Sequence, residues 1–203
     1  MSSTPEPLEL AKDAQDLLFR HARSANSFSA EPVTDEQVRA IHDLVKYAPT
    51  AMNTQPLRIT LLRTRESRER LVRHMAEGNR AKTLSAPLTA ILSADSDFHE
   101  LAGRFFPVRE QMVKDAFAGD ADNRYSTARL NASLQVGYFI LGVRAAGLAA
   151  GPMTGFDAAA VDAEFFPEGR YRSLVVVNIG RPGENPWFDR LPRLDYEDVV
   201  TQL

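Results

Sequence analysis

The stretch Ser126–Gly147, STARLNASLQVGYFILGVRAAG, is the longest helical pattern in the chain and does most to decide the fold. Apolar residues lie on nearly every side of a helix drawn through it, which is typical of a buried helix and not of a surface helix. Gly137 and Gly142 would let another helix approach closely. We therefore predict a long central helix buried in the protein.

Shorter patterns lie on both sides of this helix. The near-continuous apolar run Ser173–Gly180 predicts a strand that is buried on both faces. Thr34 and Gln37 have the spacing of a capping box and predict the start of a helix. We also predict strands at Leu57–Thr64 and Leu88–Ala94, helices at Leu8–His21, Thr34–Ala48, Ser67–Ala76 and Asp157–Phe165, a final turn capped by Asp195, and a loose arm at residues 1–7.

Composition excludes several kinds of chemistry. The chain has 203 residues, no cysteine and a formal net charge of −3. Disulfides, thiol nucleophiles and zinc–thiolate sites are therefore excluded, and the charge gives no support for a nucleic-acid partner. The four histidines are scattered, and there is no Gly-x-Gly-x-x-Gly turn, P-loop or Gly-x-Ser-x-Gly elbow.

Nothing in the sequence predicts a membrane partner. The N-terminus lacks the basic start and apolar run of a signal peptide. No apolar stretch approaches the roughly 18 residues of a membrane helix. We expect a single cytoplasmic domain that spans residues 1–203.

The polar loop between Ala48 and Pro56 is a candidate binding site. Thr50 offers a hydroxyl, and Asn53 and Gln55 offer amides, which both donate and accept hydrogen bonds and so suit the edge of a heterocycle. A capped junction between a helix and a strand would have the same composition.

Three further short patterns can each be interpreted either as part of a binding site or as an ordinary structural feature. Arg23 and Ser24 would suit a phosphate, or could simply end a solvated helix. Asn79 and Lys82 lie one helical turn apart and would suit a polar ligand, or could be an exposed turn. The segment Gly151–Gly155 would let backbone approach a flat ligand, or could be a tight connection between helices.

Taken together and in this order, the patterns resemble the flavin-dependent nitroreductase family. The loop resembles the family's A-P-S-x-x-N-x-Q-P segment, Arg23 and Ser24 its phosphate motif, and Asn79 and Lys82 its N-x-x-K motif. Gly147–Phe156 resembles the segment that follows the family's central helix. The chain departs at Ala22, Asn26 and Phe188, where relatives carry cations; Arg190 fits a late basic position, and Arg193 is a candidate substitute for Phe188.

The resemblance implies an α+β nitroreductase-like fold, with a mainly antiparallel sheet flanked by helices and a long buried central helix. It also implies a homodimer with flavin mononucleotide (FMN) at the subunit interface and NADH or NADPH as co-substrate. The chemistry would belong to the cofactor, so no catalytic side chain is assigned. The implied FMN-binding residues are Arg23, Ser24, Asn26, Pro49, Thr50, Ala51, Asn53, Gln55, Asn79, Lys82, Pro152, Met153, Thr154, Gly155 and Arg190.

The acceptor is less well defined by the sequence. The nearest-looking relatives within the family are malonic semialdehyde reductases, which make 3-hydroxypropanoate. A broad nitroaromatic or quinone reductase, a non-catalytic flavin-binding protein and a helical scaffold with coincidental motifs are the alternatives. The variable segment 95–125 is expected to face the substrate, although its aromatic residues also suit a core.

Overall fold

One antiparallel sheet organises the protein. The computed structural model describes residues 8–203, so the predicted arm at residues 1–7 lies outside the described residues. The strands are β1 (Leu57–Leu62), β2 (Leu88–Asp95), β3 (Ala149–Met153) and β4 (Tyr171–Gly180). In the described part of the chain they lie in the order β1-β2-β4-β3, and all neighbours are antiparallel. This is the α+β architecture that the sequence predicts.

Helices of very different lengths surround the sheet. They are α1 (Lys12–Gln15), α2 (Asp35–Val45), α3 (Arg65–Val72), α4 (Glu77–Ser85), α5 (Ala102–Phe105), α6 (Glu110–Ala118), α7 (Ala121–Ala145), α8 (Ala158–Phe165) and α9 (Tyr196–Val199). A wider π-type turn, Asp16–Arg20, continues α1, and 3-10 turns occur at Ala51–Asn53, Phe98–Leu101 and Pro107–Arg109. None of the described helices combines the length and the apolar composition that a membrane crossing requires.

The core has a layer on each face of the sheet, because side chains alternate along a strand. Leu88, Ala90 and Leu92 of β2 pack with α2 and α7 on one face. Ile91 of the same strand packs on the other face, in the cluster that holds Leu71 of α3 and Val161 of α8. The two helical layers therefore leave β2 buried along its whole length.

The long helix α7 corresponds to the predicted central helix, but it begins at Ala121, five residues before the predicted start at Ser126. Asp120 caps it, accepting a hydrogen bond from the backbone N–H of Asn123. One side is buried against the sheet and α2. The stripe Leu130, Leu134 and Tyr138 is 65%, 50% and 42% exposed in the single chain. The predicted burial on all sides is thus only partly reached within one chain.

The local predictions differ in how well they match. Thr34 and Gln37 form the predicted reciprocal capping box, and Asp195 caps α9. The segment Gly151–Gly155 is not a connection between helices, since its first part belongs to the edge strand β3, which pairs with β4. The helix predicted at Leu8–His21 is shorter than expected, since helical structure there covers only α1 and the π-type turn, Lys12 to Arg20.

Candidate functional site

The Arg23–Asn26 segment is fixed by backbone hydrogen bonds to two distant parts of the chain. The N–H of Ala25 donates to Ala150 O of β3 at 3.1 Å, and the N–H of Asn26 donates to Pro186 O at 3.0 Å. Gly151 allows this approach, because a Cβ there would lie 2.6 Å from Ala25 O. The segment therefore runs beside β3 and beside the loop that follows β4.

Arginines from two ends of the sequence meet at this place. Arg23 Nη1 donates to Phe188 O at 3.2 Å, and Arg190 Nη2 donates to Arg20 O at 2.7 Å and to Ala22 O at 3.1 Å. They border a cavity of ≈ 220 Å³, here called the arginine cavity. It is lined by Ala22, Arg23, Ser24, Asn26, Phe188, Asp189, Arg190, Leu191 and Arg193.

The charge around the arginine cavity is predominantly positive. Its lining has three guanidinium groups and one carboxylate, Asp189. Burial, and then the nearby charge of Arg190, lower the pKa of Arg144 in α7. A guanidinium stays protonated at neutral pH even so. The cluster is therefore suited to a ligand that carries negative charge.

Helix α4 brings Asn79 and Lys82 to the same region. Lys82 Nζ lies 3.4 Å from Asn26 Oδ1, and Asn79 Nδ2 donates to Gly155 O at 3.1 Å. A Cβ on Gly155 would lie 2.8 Å from Asn79 Nδ2, so a side chain there would disturb this contact. The structure thus joins four separated patterns: residues 23–26, 79–82, 151–155 and Arg190.

The residues of the Gly151–Gly155 segment do not all present side chains to a ligand. Pro152 and Met153 pair with β4, and the Met153 side chain is buried in the core cluster on the α3 and α8 face. Thr154 and Gly155 lie beyond the end of β3 and are exposed. Any contact that Met153 makes with a cofactor would therefore involve its backbone.

The polar loop at residues 49–55 lies elsewhere on the same chain. The N–H of Ala51 donates to Oδ1 of the buried Asn131 at 2.7 Å, and the N–H of Leu57 donates to Gln135 Oε1 at 3.0 Å. Both acceptors lie near the middle of α7, whereas Arg144 is near its end. Thirteen residues of helix separate Asn131 from Arg144, which is about 20 Å. Among the described residues that line the arginine cavity there is none of Pro49, Thr50, Ala51, Asn53 and Gln55.

The backbone of this loop has an unusual conformation. Met52, Asn53 and Gln55 have φ values of 52°, 57° and 44°. Residues other than glycine seldom adopt this left-handed region, and each one costs of order 1–3 kcal/mol. Hydrogen bonds from Gln55 N to Thr50 Oγ1 (3.2 Å) and from Asn53 Nδ2 to Phe105 O (2.9 Å) hold it in place.

The loop and the 95–125 segment enclose a second cavity, which sequence reasoning did not find. It measures ≈ 560 Å³ and is here called the loop cavity. It is lined by Asn53, Thr54, Gln55, Arg58, Leu101, Arg104, Phe105 and Tyr171. Only part of the 95–125 segment lines this cavity. Phe98 and Phe117 belong to the core, where their rings pack edge to face with centroids 4.9 Å apart.

A buried carboxylate supports the loop cavity from behind. Asp95 is fully buried; Arg58 donates to its Oδ2 at 2.6 Å, and Arg170 donates to both of its oxygens at 2.8 and 3.0 Å. The hydrogen bonds to Asp95 raise the pKa of Arg170 above its ordinary value. The sequence shows that Asp95 follows an apolar strand, but it does not show that Arg170, 75 residues later, is its partner.

The family model described as "Nitroreductase family" matches residues 19–181. A protein from Streptomyces coelicolor, provisionally named an NADH dehydrogenase/NAD(P)H nitroreductase, is 62% identical over 196 residues, which cover 97% of this chain and 99% of that protein. A protein of the same provisional name from Streptomyces griseus is 59% identical over 196 residues, with the same coverage.

Solved structures agree on the fold. A structure from Exiguobacterium sibiricum, provisionally named a nitroreductase and solved in complex with FMN, superposes with a TM-score of 0.84. The sequence identity is 15%, over 96% of this chain and 99% of that one, so the match concerns the fold alone. With the family model and the close relatives, this likeness shows that the chain belongs to the nitroreductase family and is an enzyme of the NAD(P)H-dependent flavin oxidoreductase class.

Proposed function

We propose that this chain binds FMN at the arginine cavity and uses it to transfer reducing equivalents from NADH or NADPH to a small acceptor. The observation that carries the proposal is the meeting of Arg23, Ser24 and Arg190 around one cavity, with Lys82 Nζ 3.4 Å from Asn26 on its lining. Asn79 and Gly155 extend that region toward β3.

The chemistry of these groups fits FMN. Guanidinium groups and a hydroxyl suit its phosphate, because a planar fork of donors matches phosphate oxygens. The amides of Asn26 and Asn79 suit a polyol chain, since an amide both donates and accepts. The backbone at Thr154 and Gly155 is exposed next to Asn79, where a flat ring could lie against it.

The residues would bind and orient FMN, which would supply the redox chemistry for moving two electrons from NAD(P)H to the acceptor. Arg23, Ser24 and Arg190 would hold the phosphate in our proposal, with Arg193 as a further cation on the same lining. The ammonium of Lys82 would stabilise negative charge on the nearby ring system, which is an electrostatic role.

A homodimer completes the proposed site. The loop at residues 49–55 is absent from the lining of the arginine cavity, and its anchor Asn131 lies about 20 Å along α7 from Arg144. The exposed stripe Leu130, Leu134 and Tyr138 runs along the helix that carries the loop's anchor, Asn131. Burial of this apolar stripe against a second copy would bring that copy's loop to the cofactor.

The acceptor we propose is malonic semialdehyde. The overall reaction would be malonic semialdehyde, NAD(P)H and one proton giving 3-hydroxypropanoate and NAD(P)⁺, with two electrons reducing the aldehyde carbon. The second candidate is reduction of nitroaromatic compounds or quinones, which the names of the relatives favour. We further propose that residues 1–203 act as one domain, in the cytoplasm.

A spectrum of the purified protein tests the proposal first. We expect the visible absorption bands of an oxidised flavin, and their loss when NADH or NADPH is added without oxygen. Addition of malonic semialdehyde should then restore the bands. A colourless protein that does not bind added FMN would refute the proposal. Loss of the bands with no recovery on adding the aldehyde, a quinone or a nitroaromatic compound would instead indicate a non-catalytic flavin protein.

A further inference from the structure

The loop cavity has the features of a site for a small anion. Its lining contains two arginines, Arg58 and Arg104, and no carboxylate. The nearest buried carboxylate, Asp95, is already engaged by Arg58 and Arg170, and Arg170 is also paired with Glu100 at 2.9 Å. The two carboxylates near the cavity, Asp95 and Glu100, are therefore already paired with Arg58 or Arg170.

The two lining arginines differ in how many hydrogen bonds their side chains already make. Arg58 uses Nη2 for Asp95 and Nη1 for the carbonyls of Gln55 and Leu57, both at 2.9 Å, so its position is fixed. Across residues 8–203, the exposed Arg104 side chain has no hydrogen bond or ion pair. Arg104 is thus the cation of this cavity that remains available to a ligand.

A second polar group of this lining lacks a hydrogen-bond partner within residues 8–203. Thr54 lines the same cavity, and its residue is only 2% exposed. Its Oγ1 is buried and has no hydrogen-bond partner within residues 8–203. A buried polar group without a partner costs about 1–3 kcal/mol.

The position of the cavity connects it to the proposed reaction. One wall is the strained loop at residues 49–55, and the hydrogen bond from Asn53 to Phe105 O ties that wall to α5, which carries Arg104. In the proposed dimer this loop faces the cofactor. A ligand held by Arg104 would therefore lie beside the loop that reaches the flavin.

We propose that Arg104 binds the carboxylate of the acceptor and selects short aldehydes that carry a negative charge over uncharged ones. The inference rests on the proposed function, and it names the residue that determines specificity. The guanidinium would hold one end of a three-carbon oxo acid through charge-assisted hydrogen bonds. Its aldehyde end would then remain free to reach the reduced cofactor across the subunit interface.

The test compares Arg104→Gln with Arg109→Gln. Arg109 is an exposed cation of the same segment that does not line the loop cavity. The measured quantity is kcat/KM for malonic semialdehyde divided by kcat/KM for a quinone. We expect this ratio to fall about tenfold or more in Arg104→Gln, mainly through KM, because one charge-assisted contact is lost. The ratio should stay at the wild-type value in Arg109→Gln.

A second measurement uses malonate, in which a second carboxylate replaces the aldehyde of the proposed acceptor. Malonate should inhibit quinone reduction by the wild type competitively, and its inhibition constant should rise about tenfold in Arg104→Gln and less in Arg104→Lys. Equal inhibition of wild type and Arg104→Gln, or an equal ratio in both arginine variants, would overturn the inference. Failure of the wild type to reduce its flavin would refute the proposed function instead.

Discussion

At the scale of single residues, Lys82 is the residue that joins helix α4 to the segment at residues 23–26. It lies in the last turn of α4, and Asn26 Oδ1 is 3.4 Å from its Nζ. This contact links the helix to the segment that carries Arg23 and Ser24. The ammonium is therefore placed between the proposed phosphate-binding groups and Asn79, where it adds positive charge to the proposed cofactor site.

Replacing Lys82 with Ala should weaken FMN binding about tenfold, because a charged hydrogen bond is lost. The measurement is a titration of apoprotein with FMN, followed by the quenching of flavin fluorescence, and it does not depend on activity. Lys114→Ala is the matched control: its lysine pairs with Glu110 in α6 and lines neither cavity. If both variants bind FMN as tightly as the wild type, Lys82 does not belong to the site.

The residue scale also shows the limit of sequence reasoning. Arg23, Ser24, Asn79 and Lys82 were found because each pair is local in sequence, and the structure brings them together. Arg104 and Thr54 were missed, because neither has a distinctive neighbour in sequence. What distinguishes them is the absence of a partner after folding, and that is visible only in three dimensions.

At the scale of elements, strong local signals predicted the structure well. The strand β4 and the helix α7 have long apolar patterns, and the capping box of α2 joins neighbouring residues, so their positions follow from the sequence. The strand β3 was missed. Its residues, Ala-Ala-Gly-Pro-Met, have little preference for a strand, and their pairing with β4 holds them extended.

The contact between α2 and α7 gives a prediction for Gly142. A Cβ at this position would lie 2.4 Å from Val45 Cγ1 and 3.1 Å from Ile41 Cγ2. Gly142→Ala should lower the free energy of unfolding by roughly 1–2 kcal/mol, since the overpacking cost exceeds the gain in helix propensity. Denaturant unfolding would measure the change.

The control for this prediction is Gly78→Ala in α4, where no atom lies within 4 Å of the added Cβ. That variant should leave stability unchanged or raise it by up to about 1 kcal/mol. A Gly142→Ala protein as stable as Gly78→Ala would show that α2 and α7 have room to move apart.

At the scale of the whole molecule, the sequence predicted the fold class, and the family match confirms it. The sequence could not predict which separated patterns would meet within one chain. The arginine cavity joins residues about 165 positions apart, while the polar loop is held near the middle of α7 by Asn131. Such long-range relations depend on strand order and helix direction and not on local composition.

The exposed stripe on α7 leads to a prediction about assembly. Leu134→Glu should convert the proposed dimer to monomers, because it places a charge at the centre of an apolar contact. Light scattering after gel filtration would measure the mass, and FMN binding should weaken as well.

The control for assembly is Ala163→Glu, which places the same charge on an exposed position of α8, on the opposite side of the sheet. It should leave both the mass and the FMN affinity unchanged. A Leu134→Glu protein that remains dimeric with its full flavin content would show that the subunits meet elsewhere.

The separation of the polar loop from the arginine cavity along α7 has a genetic consequence. In the proposed dimer, a chain damaged only in the loop spoils its partner's site and leaves its own intact. A chain damaged only at the arginines does the reverse. Co-expression of two such inactive chains would form mixed pairs in which one of the two sites contains both defects and the other contains neither. Two null alleles of this enzyme could therefore complement each other.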